Sequence, residues 1–447
     1  MTVRVPPHER LSLGNGAALI LVPRRDVPLV SCYAILRGGG LCDPASRPGV
    51  ASLVAGLLEK GAGERNAYAF ADVVEGVGGS FGAGAGPEAV TVRGQFLARD
   101  QELMMELLAD ALLRPLLDGE ELEELAARHI ELIKAAKDSD PSELIGTYWR
   151  AFLFGGHPYG RPVFGSEASL AAIDREDVQR YYDGQFGGER LILVVAGDID
   201  GDLVARMAAE SFSRWPRTPA PPPALVRARA QTHRRVLLVD SPGSAQTYFW
   251  IGNVGVDRRY PRRAALDLVN TLFGGRFTSL LNTELRIKSG LSYGARSSFA
   301  RGSVPGEFAL RSFAQTDNTG RAIDLALRTL ERLGREGVTR EMLDSARAYT
   351  LGQYPLDLET AADWAAMLAE IELYGLGRSY VDEYPAQLAA VGVGEAQAVI
   401  EEAFPRADSV AIVAIGDAAR ISGALGEYGP VSRMTLRDPE FASAAES

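Results

Sequence analysis

The sequence predicts an α+β protein of two homologous α/β-sandwich domains, antiparallel-rich sheets with helices on one face, joined by a proline-rich tether. Three observations lead there. A proline cluster, RWPRTPAPPPALVRARAQTHRR (214–235), breaks the chain almost at its midpoint. The strand-like and helix-like runs before it recur in the same order after it. Each half then closes on an apolar run that ends in Gly-Asp, LILVVAGD at Asp198 and VAIVAIGD at Asp417. One such match arises by chance; the ordered series does not.

The elements follow from residue type and spacing. Each half opens with short runs rich in aliphatic and β-branched residues, AALILVP and VSCYAILRGG against RRVLLVD and TYFWIGNVGV, which read as strands. A helix follows at 49–59 and at 261–273. Glycine-marked β segments come next, GGSFGAGAGPEAVTVRGQFL and GLSYGARSSFARGSVPGEFALRSFA. Two helical stretches with apolar residues three and four apart complete each series. They are QELMMELLADALL and GEELEELAARHIELIKAA in the first half, TGRAIDLALRTLERLG and TREMLDSARAYTLGQY in the second. The expected division is a first domain at 1–213, a proline-rich linker at 214–235 and a second domain at 236–435. A tail at 436–447 follows, whose RDPEFASAAES lacks a packing pattern and is expected to fray.

At 447 residues the chain exceeds one ordinary hydrophobic core. Its net charge of −11 argues against non-specific nucleic-acid binding, which needs a positive field. Cys32 and Cys42 are too few for a disulfide scaffold; two unpaired thiols or a single bridge both fit. The N-terminus lacks the pattern of a secretory signal, and no stretch approaches the roughly 20 apolar residues that span a membrane. A soluble protein without membrane partners is expected, cytoplasmic by default and periplasmic if an export signal has been removed.

Five stretches, GVASLVAGLLEKG, VVEGVGGSFGA, FGGHPYGRPVFG, LVVAGDI and FGGRFTSLLNTELRIKSGLSY, give the chain a specific likeness over nearly its whole length. It resembles the pitrilysin/insulinase-type zinc metallopeptidases, particularly the short-chain branch that includes the mitochondrial processing peptidase. In active members the first of these stretches carries H-x-x-E-H. Its two histidines, one helical turn apart, bind zinc, and its glutamate polarises the attacking water. Here those places fall on Ser52, Ala55 and Gly56. Serine is a poor zinc ligand, alanine has no base and glycine has no side chain, so no metal is expected in this chain. The place of a third ligand falls near Leu132 and Ile133. Glu131 beside them reads as a solvated helix residue. His8, His129, His157 and His233 are scattered with no i, i+4 pair, and His157 in the HPYG landmark reads as structural. In active relatives GG-x-x-N-A marks an edge strand that pairs with substrate. Gly82 stands at that asparagine, and an edge strand and a flexible loop are equally compatible with it.

The second half reads differently. Leu280, Leu281 and Leu285 recur at helical spacing, Gly290 supplies a stop, Arg286 falls in the last turn and Tyr293 at the start of the next strand. By spacing alone, Arg286 is a surface residue serving terminal carbonyls and Tyr293 a half-buried strand residue. The resemblance implies more. The family carries an Arg and a Tyr at this separation, in the half that faces the zinc site across a cavity. A tyrosine hydroxyl there donates to the oxyanion of the reacting carbonyl, and an arginine fork holds substrate carbonyls.

The resemblance therefore implies a clamshell arrangement of the two domains and the zinc-free subunit of a heterodimeric metalloendopeptidase. Arg286 and Tyr293 would assist a zinc held by a homologous partner chain, on unfolded peptide substrates, and the chain alone would be inactive. The rival reading is an inert scaffold or peptide-binding subunit, like the family-related core proteins of a respiratory complex. A new site built on Asp198 and Asp417 is a third reading, against which their matched positions favour a shared turn-capping role.

Overall fold

The protein was analysed as a computed structural model that describes residues 3–218 and 224–442; residues 219–223 of the proline-rich segment and 443–447 of the tail lie outside the described residues. Two six-stranded sheets organise it. The first runs Glu9–Ser12, Ala18–Pro23, Leu191–Gly197, Leu29–Arg37, Ala89–Leu97, Ser80–Ala85. The second, from its opposite edge, runs Val431–Thr435, Arg235–Asp240, Ala411–Gly416, Gln246–Val254, Glu307–Gln315, Ala295–Ala300. The five matched strands keep the same order and the same pairing senses, one parallel contact followed by three antiparallel ones. The outer edges differ: Glu9–Ser12 pairs antiparallel with its neighbour, Val431–Thr435 parallel.

The Gly-Asp strands explain the layering. Leu191–Gly197 and Ala411–Gly416 are buried at every residue, as continuous apolar runs are when both sheet faces are covered. Helices were expected on one face. The opposite face of each sheet takes a helix from the other half. Ala361–Tyr374, late in the chain, packs on Leu29–Arg37 and Leu191–Gly197 of the first sheet. Ile145–Phe154, early in the chain, packs on Gln246–Val254 and Ala411–Gly416 of the second. An arginine from the covered sheet then takes the last carbonyls of each exchanged helix. Arg37 donates to Glu372 and Leu373 O at 3.0 and 2.9 Å, and Arg235 donates to Phe152 O at 2.7 Å. The two cores are accordingly mixed: Ile20, Val22, Ile192 and Val194 share one with Trp364 and Leu368, and Tyr148 and Trp149 share the other with Leu237 and Val413.

Two local readings change. The start of the tail is packed rather than frayed: Phe441 is buried edge-on to Tyr148 with centroids 5.0 Å apart, and the Lys137 ammonium donates to Asp438 O. The capping role holds at Asp417, which accepts from Ala419 N. In the first half it passes from Asp198 to Asp200, which accepts from Leu203 N. Cys32 and Cys42 are both free thiols.

Candidate functional site

Val50–Leu57 forms the first helix of the matched series, and a buried carboxylate starts it. Asp43 accepts from Gly49 N at 2.7 Å and from Ala51 N at 2.8 Å, serving two amides that the helix itself leaves unpaired. Burial pushes its carboxyl up to about 7 despite those donors. Gly49 sits at φ 103, and a Cβ there would lie 2.8 Å from the Cα of Gly165. Two of the sequence landmarks thus meet backbone to backbone at the entry of this helix.

Ser52, Ala55 and Gly56 share one helix face, as their i, i+3, i+4 spacing requires. Ser52 is half-buried and Ala55 fully buried. Gly56 is a notch filled from the facing helix, Gly119–Ser139: a Cβ at residue 56 would lie 2.7 Å from Cδ2 of Leu125. These residues do not fit zinc. They offer no nitrogen or thiolate ligand, and leucine occupies the space a ligand would need. Among the described residues no group of three or more His, Cys, Asp or Glu is placed to hold a metal.

The neighbouring candidates have other occupations. Glu131 is exposed and pairs with Lys134 at 2.9 Å; Leu132 is exposed and Ile133 buried. His129, one turn earlier, is buried and stacks on Phe164 with centroids 3.9 Å apart. Burial, with Arg128 adding, pushes its imidazole down to about 4. His157 accepts from Tyr159 N through Nδ1, while Nε2 lies 2.7 Å from Val226 O, so it fixes the HPYG turn against the proline-rich segment. Of the two readings open for Gly82, the structure takes the strand: it lies in Ser80–Ala85, the edge strand of the first sheet, opposite Arg93. Sequence reasoning passed over Glu59, whose half-buried carboxyl lies 3.8 Å from where a Cβ on Gly82 would sit; burial raises its pKa. It falls one turn beyond Ala55, a spacing signal the motif reading did not use.

In the second unit the predicted helix is not uniform. Arg263–Asn270 runs into a π-helical turn, Thr271–Gly275, and a second π-helical turn, Thr283–Lys288, carries Arg286. Such turns occur often at functional sites. Gly290 at φ 64 ends the segment, its N–H donating to Arg286 O at 3.2 Å. Arg286 is exposed, with its guanidinium 4.8 Å above the ring of Phe277. Tyr293 lies in the turn before Ala295–Ala300, not in the strand, and is 79% exposed. Its hydroxyl has no hydrogen-bond partner among the described residues. No hydrogen bond, ion pair or ring contact among the described residues joins this pair to Ser52, Ala55 or Gly56.

Comparison with known proteins adds the following. Residues 25–167 match the family model described as insulinase (peptidase family M16), and residues 172–349 match the one described as peptidase M16 inactive domain. A protein of Mycobacterium tuberculosis named as an uncharacterized zinc protease is 28% identical over 84% of this chain and 86% of its own. A Helicobacter pylori protein named as a non-peptidase homolog is 23% identical over 75% of this chain and 77% of its own. The crystal structure of a peptidase M16 inactive domain from Pseudomonas fluorescens superposes with a TM-score of 0.85 at 23% identity, covering 92% of this chain and 98% of that one. No helix among the described residues is long and apolar enough to cross a membrane.

Proposed function

The chain belongs to the insulinase (M16) peptidase family, and from that premise we propose that it is the zinc-free subunit of a two-chain M16 endopeptidase. Its second unit would face the zinc-bearing unit of a homologous partner, and the two chains together would close as a clamshell around an unfolded peptide. Tyr293 would donate a hydrogen bond from its hydroxyl to the oxyanion that develops on the scissile carbonyl. Arg286, oriented by Phe277, would hold substrate carbonyls. The metal and the water-activating glutamate would belong to the partner.

One contrast carries this reading. Of the two positions that hold metal in active relatives, Gly56 is filled by Leu125 and Ser52 offers only a hydroxyl, while Tyr293 is 79% exposed with no hydrogen-bond partner among the described residues. A side chain that exposed does little for the fold. The inert-scaffold reading gives it no task, although the non-peptidase name of the Helicobacter relative accords with inactivity of the isolated chain.

The test is reconstitution with a homologous chain that carries H-x-x-E-H, assayed on an unfolded peptide. Neither chain alone should cleave at an appreciable rate, and the pair should. Tyr293→Phe in the pair should lower kcat by about a hundredfold, with KM little changed. Full activity of that variant pair removes the role given to Tyr293, and no activity in any pairing favours the scaffold.

A further inference from the structure

The second sheet leaves part of one face open beside the exchanged helix Ile145–Phe154, forming a groove of about 510 Å³. Register decides what lies on its floor. Tyr248 is opposite Phe313, Trp250 opposite Arg311, and Arg311 opposite Arg296 on the edge strand. Directly opposed residues point to the same face, so two arginines stand side by side there. Like charges so placed destabilise a sheet. The ion pair to Arg311 is a loose one, to Glu307 at 3.9 Å, and Arg150 brings a further positive charge into its surroundings. Arg296 is exposed and has no hydrogen bond or ion pair among the described residues. Stacking over Trp250 at 4.0 Å holds the Arg311 fork in a fixed plane.

The internal repeat supplies a comparison. The matched groove of the first sheet, about 440 Å³, has Tyr33 opposite Arg93 and Arg93 opposite Gly82, with Asp363 in its lining. The same strands therefore build the same hollow without a second arginine. The doubled charge at Arg296 and Arg311 is not a requirement of the fold, and it sits on a chain whose net charge is −11.

We propose that this groove is a binding site for an acidic peptide segment, its carboxylate held between Arg296 and Arg311 and a neighbouring apolar side chain seated against Trp250 and Phe313. Carboxylates match the arginine fork, and relief of the arginine–arginine repulsion adds to the gain on binding. The inference stands apart from the peptidase reading, because it needs neither a partner nor Tyr293.

The test is titration of the full chain, without any partner, against a synthetic peptide of glutamates flanking one phenylalanine. The same peptide with glutamines is titrated beside it. The acidic peptide should bind, more weakly as salt rises, and the glutamine peptide at least about tenfold more weakly. Arg296→Gln should lose about the same factor for the acidic peptide while melting no lower than wild type, since it relieves a repulsion. Arg93→Gln, in the first groove, should bind the acidic peptide as wild type does. Equal affinity for both peptides, absence of binding, an unaltered affinity in Arg296→Gln, or a lowered melting temperature in that variant would each overturn the proposal.

Discussion

His129 shows how a residue with ligand chemistry becomes part of a core. Its ring lies on Phe164, the aromatic that closes FGGHPYGRPVFG, and burial holds it neutral well below the usual histidine range, at about 4. The sign follows from linkage. Between pH 6.5 and 4 the unfolded chain binds a proton that the folded chain refuses, so stability present above pH 6.5 is lost as pH falls through that window. The urea midpoint should therefore drop across it, and His129→Gln should flatten part of that drop; parallel curves for the two proteins would show that the ring titrates normally. Motif spacing singled out Ser52, Ala55, Gly56, Arg286 and Tyr293 as candidates, and put Tyr293 in a strand where the structure has a turn. It could not show that His129 stacks on Phe164, because the two lie on elements far apart in the chain.

At the level of elements, the strands and the helices of each series were legible because periodicity and glycine stops are local properties. The helices Ile145–Phe154 and Ala361–Tyr374 were not. IGTYWRAFLF is apolar around most of its circumference, and its second apolar side has meaning only once the other half's sheet is present. The π-helical turns around Arg286 are likewise invisible to a 3.6-residue pattern. The exchange makes a measurable claim. Leu368 sits in the second half yet shares a core with Ile192 and Val194 of the first sheet. Leu368→Ala should cost about 2–5 kcal/mol of unfolding free energy by denaturant titration. It should also speed amide exchange in Leu191–Gly197; loosening confined to the second half would contradict the packing described.

For the whole molecule, the consequence is that neither half closes its own core. The first 217 residues expressed alone would expose Ile20, Val22, Ile35, Ile192 and Val194 on the sheet face that Ala361–Tyr374 covers. That fragment should bind a hydrophobic dye and melt without a sharp transition, and adding residues 224–447 should restore a single cooperative melt. A compact first half with its own sharp transition would refute the interdependence. Cross-strand partnership between Arg296 and Arg311 also belongs to this scale, since register between strands cannot be read off sequence spacing. The Leu125 methyl in the Gly56 notch also bars the way to a metal. With leucine standing where an imidazole would go, a single Gly56→His change meets a steric barrier before it gains any coordination. Installing zinc chemistry on this helix therefore takes at least two changes made together, one to supply the imidazole and one to clear the notch that leucine fills.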